Sequence, residues 1–148
     1  MIKLVSHDNI ITWLNDTGER HRKDGPAIIY PDGSEEWCIN GKFHREDGPA
    51  IICPDGRQSF YINGKLHRED GPAMIFPNGE QHWCIDGKRH REDGPAIIYP
   101  YGEQSWYING HDITDEIQKW AKDRDIDLEN LSEMDKMIIQ LEWGNYGK

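Results

Sequence analysis

Cysteine is scarce in this chain, and the three present, Cys38, Cys53 and Cys84, are an odd number with no Cys-x-x-Cys spacing. That excludes the paired framework of a disulfide-stapled secreted domain and leaves no thiolate motif for a structural metal. Long apolar runs are missing too. Nothing approaches the roughly 18–20 residues of a membrane span, and the opening MIKLVSHDNIITWL is too polar for a signal peptide. A basic excess is likewise absent: 17 Lys and Arg stand against 27 Asp and Glu, a formal net charge of −10. This argues against a nucleic-acid binder and against anionic lipid surfaces. It suits a protein partner with a basic surface. No Gly-x-Gly-x-x-Gly follows a strand, and there is no P-loop and no Gly-x-Ser-x-Gly elbow. The expectation is a soluble, cytoplasmic protein that carries no cofactor or metal.

What the chain does have is turns and repetition. Gly and Pro make up 23 of 148 residues, and the 148 residues are the size of one domain. The sequence DGPAIIYPDGSEEWCINGKFHRE, residues 24–46, recurs as DGPAIICPDGRQSFYINGKLHRE (47–69), DGPAMIFPNGEQHWCIDGKRHRE (70–92) and DGPAIIYPYGEQSWYING from Asp93, with the pattern lost by residue 111. Residues 10–23 read as a degenerate half unit, with Trp13 and His21 in the repeated places. The period is a constant 23, and such self-similarity marks a repeat architecture.

Each unit reads as two strands and two turns. Ala27 to Tyr30 is β-rich, Pro31-Asp32-Gly33 is turn chemistry, Ser34 to Ile39 is a second strand, and Asn40-Gly41 is the strongest short hairpin signal. The predicted fold is mainly β: an antiparallel meander of tandem 23-residue β-hairpin repeats over residues 1–111, forming an elongated single sheet. Strand alternation places Ala27 with Ile29 and Trp37 with Ile39, and this face is assigned to the core. On the other face, Tyr30, Cys53, Phe76 and Tyr99 vary against Cys38, Tyr61, Cys84 and Tyr107. In three of the four units a large residue at one position accompanies Cys at the other, which suggests packed neighbours within a hairpin.

Residues 112–148 change period. Asp112-Ile-Thr-Asp115 resembles a capping arrangement, and Ile113, Ile117, Trp120 and Ala121 recur at helical spacing, predicting a helix near 114–124. Ser132 with Asp135 opens a second helix that ends near Trp143-Gly144, with Met134, Met137, Ile138 and Leu141 as its apolar stripe. Repeat arrays need caps, so a C-terminal helical pair capping the sheet is expected.

His-Arg-Glu-Asp occurs in three units and could supply acid–base groups or metal ligands. A catalytic site is normally unique, whereas this motif is repeated, so His44, His67 and His90 are read as structural. The His is expected to bond a neighbouring backbone, and the Asp to cap the turn into Gly-Pro. The cysteines each have an aromatic counterpart in another unit and read as fillers. If the repeated residues are frame, specificity belongs where units disagree. The candidate partner contacts are Glu35, Glu36, Arg57, Tyr61, Glu80, His82, Tyr101, Glu103 and Tyr107. Asp123, Asp125, Asp127, Glu129 and Glu133 of the acidic tail join them.

The run Trp37-Cys-Ile-Asn-Gly-Lys-Phe-His44, followed by Asp47-Gly-Pro-Ala-Ile-Ile and Pro54-Asp-Gly56, resembles the MORN repeat across roughly residues 10–111. It departs from that repeat in placing Arg-Glu-Asp between the His and Gly48. The wording also resembles repeat proteins of tailed phages and large DNA viruses, and in outline the repeat antitoxins of bacteria. The resemblance implies an elongated sheet that acts as a scaffold or interaction surface. The expected function is therefore a non-enzymatic protein-binding module that sequesters or inhibits a host protein, in the host cytoplasm for a viral chain. The alternatives are a self-associating scaffold, a homodimer included, or an antitoxin-like protein.

Overall fold

The computed structural model describes residues 1–147. A ten-stranded antiparallel meander forms the body of the molecule. It begins with β1 (Ile2–Val5) and β2 (Ile11–Leu14). Each 23-residue unit then adds two short strands, Ile28–Ile29 with Glu35–Glu36 in the first and Ile97–Ile98 with Gln104–Ser105 in the last. Two cross-strand rows run the length of the sheet. One passes through Ile28, Glu36, Ile51, Ser59, Met74, His82, Ile97 and Ser105, and its neighbour through Ile29, Glu35, Ile52, Gln58, Ile75, Gln81, Ile98 and Gln104.

The turns are those the residue types require. Tyr30 accepts from the N–H of Gly33 and donates to the carbonyl of Ser34, closing a three-residue loop with Gly33 at φ +90°. Asn40 and Gly41 both have positive φ, +48° and +76°, as a type I′ turn demands. The same two geometries recur in every unit.

The expected second strand is bent. Glu35–Glu36 stays in the large sheet, whereas Cys38–Ile39 pairs with Lys42–Phe43 in a separate two-stranded hairpin. Trp37 is the hinge: its N–H donates to the carbonyl of Ala50 in the next unit, and its carbonyl accepts from His44. Four such hairpins line up beside the sheet. Each is tied to its neighbour by backbone bonds such as Arg45 N–H to the Tyr61 carbonyl and Gly64 N–H to the Phe43 carbonyl.

This bend corrects the core assignment. Ala27, Ala50, Ala73 and Ala96 are fully buried as expected, as are Trp106 and Ile108 under the helical cap, but Ile29, Trp37 and Ile39 are only half-buried. Ile28, Ile97, Cys38 and Cys84, from the face expected to be outside, are buried instead. Residues of both faces are buried, so no single face holds the core.

The largest apolar cluster lies at the C-terminal end. Helix α1 (Thr114–Arg124) and helix α2 (Glu133–Trp143) bury Ile113, Ile117, Trp120, Ala121, Ile139 and Trp143 against Trp106 and Ile108 of the last unit. Trp120 and Trp143 meet edge to face with centroids 5.9 Å apart, a geometry preferred by aromatic quadrupoles. Burial at about 1.5–3 kcal/mol per large side chain makes this the anchor of the array's end. The capping is specific. In earlier units the N–H of the aromatic hinge donates to the next Ala carbonyl; here Trp106 N–H donates to Thr114 Oγ1 (3.0 Å). A helix side chain thus replaces the missing next strand.

The helix ends differ from one another. Ser132 and Asp135 form the expected capping box on α2. At α1, Ile113 occupies the N-cap without a side-chain bond, and Asp112 accepts from the N–H and hydroxyl of Thr114 instead. The stripe expected to seat α2 is also corrected. Ile139 and Trp143 face the array, Ile138 packs alongside, and Met134, Met137 and Leu141 are exposed. Among the described residues, no helix is long and apolar enough to cross a membrane.

Candidate binding surface

Two sets of repeated side chains do different work. The first is inward-looking. Nδ1 of His21, His44, His67 and His90 accepts the backbone N–H of Asn40, Asn63, Asp86 and Asn109 at 3.0–3.2 Å. Each His therefore holds the type I′ turn of the following unit, and where Nδ1 accepts that N–H the proton of the neutral ring sits on Nε2. The histidines bond neighbouring backbone, as expected. Among the described residues, no three His, Cys, Asp or Glu side chains gather as a metal site.

The Arg of the same motif carries a role the sequence reading missed. The guanidinium carbons of Arg22, Arg45, Arg68 and Arg91 lie 3.8–4.2 Å from the ring centroids of Trp13, Trp37, Phe60 and Trp83. Each donates through Nη1 to the carbonyl of the following Pro, at 3.2–3.4 Å. The Asp does not cap the turn into Gly-Pro: Asp47, Asp70 and Asp93 accept from the Arg Nε at 2.8 Å. The adjacent Arg holds the carboxyls of Asp47 and Asp70 below the usual range. A Cβ on Gly48 or Gly71 would lie 3.1 or 2.9 Å from that guanidinium carbon, which explains the invariant Gly between Asp and Pro. The co-occurrence of Arg, aromatic and Gly from the half unit through the third unit, and the loss of Arg and Gly together where Thr114 and Ile117 stand, was the available signal.

The second set lies in the sheet itself, half-buried for the most part and buried at Ser59, Ile28 and Ile97. Glu36, Ser59, His82 and Ser105, the variable members of one cross-strand row, alternate with Ile28, Ile51, Met74 and Ile97. Tyr30 Oη donates to Glu36 (3.0 Å), His82 Nε2 meets Glu80 (2.6 Å), and the Phe76 ring lies 5.5 Å from His82. Glu35, Glu36, Arg57 and Tyr61 line one open groove with Tyr30 and Cys53. Of the variable-position candidates, the structure thus brings these four together, and pairs Glu80 with His82. Glu35, Glu36, Tyr61, Glu80, His82 and Tyr107 are half-buried rather than free on the surface.

The Tyr30 and Cys38 positions share this face, and at the Cys38 position Tyr61 and Tyr107 also have partners on the hairpins. Phe43 stacks near Tyr61 of the next unit (5.2 Å), and Arg89 lies over Tyr107 (5.3 Å). Tyr30 and Cys38 of one unit interact electrostatically, and Tyr30, Cys53 and Tyr61 line one groove, so the compensating positions are neighbours on this face. Burial, reinforced by Glu36, pushes the Cys38 thiol up to about 11, and burial raises Cys84 as well. A nucleophilic cysteine needs the opposite shift. Burial also raises the Tyr30 and Tyr61 hydroxyls.

Tyr101 and Glu103 stand apart from that groove. At the turn tip of the first three units Asp32, Asp55 and Asn78 accept the N–H two residues on. Tyr101 takes that place in the fourth unit and is 98% exposed, so a local hydrogen bond has been exchanged for a bare aromatic ring. The acidic tail residues are also exposed. Asp123 lies in α1, Asp125 caps its end at φ +54°, and Glu133 opens α2 paired with Lys136. Asp127, held low by Asn130 and the Glu129 N–H, organises the connecting loop, so part of this charge is structural.

A scan of protein-family models finds none that matches the chain, and a search of curated proteins finds no match. The geometry therefore carries the functional argument.

Proposed function

We propose that the chain is a MORN-like, non-enzymatic protein-binding module whose contacts lie on the variable face, at the Tyr101 turn and along the acidic C-terminal segment. One observation carries this reading. The repeated His and Arg side chains spend their polar groups on neighbouring backbone and on the motif's own Asp, with Arg laid over the aromatic, while positions that differ between units gather at one groove of the sheet, half-buried at Glu35, Glu36 and Tyr61 and exposed at Arg57. An array built this way has a rigid frame and an adjustable surface, the division of labour found in repeat binders. The partner is a protein with a basic surface, matched to the net charge of −10. In the reading that follows from the phage and virus resemblance, binding sequesters or inhibits that partner inside the host cell. Affinity capture from lysate with wild type and with a Glu36→Lys/Tyr101→Ala variant tests it. A partner retained by wild type and lost by the variant supports the module; identical capture by both removes the surface.

A second reading, a self-associating scaffold, has its own support. Strand β1 is an edge of the sheet, and its Ile2, Leu4 and Val5 are 49–61% exposed. Exposed apolar edges are templates for strand addition. Sedimentation velocity at high concentration, with Leu4→Lys as control, decides it: a lasting monomer ends the scaffold reading.

A further inference from the structure

We infer that the outward face of α2 is a docking site for an amphipathic helix with basic flanks on a partner protein. The inference rests on the protein-binding reading and names a surface and a partner chemistry within it.

Capping the array uses only one side of α2. Ile139 and Trp143 are buried against the last unit, and Ile138 packs beside them. Met134, Met137 and Leu141, spaced i, i+3 and i+7, are 64%, 55% and 74% exposed. At about 3.6 residues per turn these three form a single stripe, roughly opposite Ile139 and Trp143. A helix that is apolar on two opposite sides has two neighbours to satisfy, and the array supplies one. Helix α1 makes the contrast: its apolar residues Ile117, Trp120 and Ala121 are buried, and its exposed positions are polar or charged. Single exposed apolar residues need no explanation, but three along one helix ridge do.

The charge around the stripe selects the occupant. Helix α2 itself carries Glu133, Asp135 and Glu142 against one base, Lys136, which is already bonded to Glu133 (2.7 Å), and the loop leading into it adds the exposed Asp125, Asp127 and Glu129. A second copy of this chain would bring the same excess of negative charge to the contact. Three side chains also fall far short of the roughly 800 Å² per partner that a standard stable interface buries. A partner helix suits the stripe better. Its apolar ridge packs along an i, i+3, i+7 row, its Lys and Arg flanks meet the carboxylates, and the two Met side chains adapt to its shape.

The test uses the full chain with methyl-labelled methionine and two model peptides, an 18-residue Leu/Lys amphipathic helix and its Leu/Glu counterpart. The expected result is that the Leu/Lys peptide shifts the methyl signals of Met134 and Met137 and leaves Met74 unmoved. Binding should weaken at high salt, and by ~10-fold or more in Met137→Glu/Leu141→Glu, a variant altered only at exposed positions. Equal shifts with the Leu/Glu peptide, no shift with either, or undiminished binding by the variant would overturn the proposal. So would a dimer of the wild type that the same variant dissociates, because the occupant is then a second copy. Capture from lysate separates this inference from the broader one. A partner held equally by wild type and by Met137→Glu/Leu141→Glu leaves the module standing and removes the α2 site.

Discussion

Replacing Gly71 by Ala isolates the least expected part of the frame. The new methyl would lie 2.9 Å from the guanidinium carbon of Arg68, so the guanidinium must leave the Phe60 ring, which it now covers at 4.1 Å. The obstructing atoms are the end of a flexible side chain. The loss is therefore that of the Arg68 contacts and not of the backbone. A cation–π contact gives about 0.5–1 kcal/mol at an exposed site and about 2 when desolvated; Arg68, with its side chain 26% exposed, falls between. Its long bond to the Pro72 carbonyl, 3.4 Å, adds less than about 1 kcal/mol. Asp70 is 84% exposed and contributes nothing that is counted. The expected cost is about 1–2 kcal/mol, or a fall in melting temperature of about 2–8 °C. The decisive measurement is the double-mutant cycle with Arg68→Ala. Once the guanidinium is absent, Gly71→Ala should be neutral or stabilise by up to about 1 kcal/mol, because φ at Gly71 lies outside the left-handed region and Ala restricts the unfolded chain. Additive losses in the cycle, or no loss in the single variant, would refute the stacking argument.

Three other outcomes are expected. Thr114→Val removes the acceptor of the Trp106 N–H at nearly constant volume and should cost about 1–3 kcal/mol in denaturant unfolding, whereas Thr114→Ser should recover most of it. Long-range nitrogen–proton NMR should find His44, His67 and His90 with the proton on Nε2; a proton on Nδ1 contradicts the turn-holding role. With Cys38 raised by burial from an ordinary value near 9 to about 11, its neutral thiol stabilises the fold fully below pH 9. That contribution is lost as pH rises from 9 to 11, so alkaline unfolding should set in within this window and be delayed in Cys38→Ala.

What the sequence made legible follows the range of the interactions involved. Asn40-Gly41 and Pro31-Asp32-Gly33 set their own backbone angles, so the hairpins, the meander and the period could be read directly. Helix α1 could be placed because Ile113, Ile117, Trp120 and Ala121 offer one apolar face and no rival. Helix α2 offers two. Met134, Met137 and Leu141 satisfy helical spacing as well as Ile139 and Trp143 do, and only the shape of the array's end decides which face it receives. The sheet failed in a similar way at Trp37. Parity along a strand carries a face assignment only while the strand is straight, and a bend there moves Cys38 inward and leaves Trp37 and Ile39 half-covered. The Arg stack was hidden because it depends on a loop folding back over an aromatic eight residues earlier, as Arg45 does over Trp37. The candidate surface shares this origin. Variation between units marked which positions are not frame, but whether Glu36, Arg57 and Tyr61 meet depends on cross-strand pairing between units, a relation that a period of 23 implies only once the hinge at Trp37 is known.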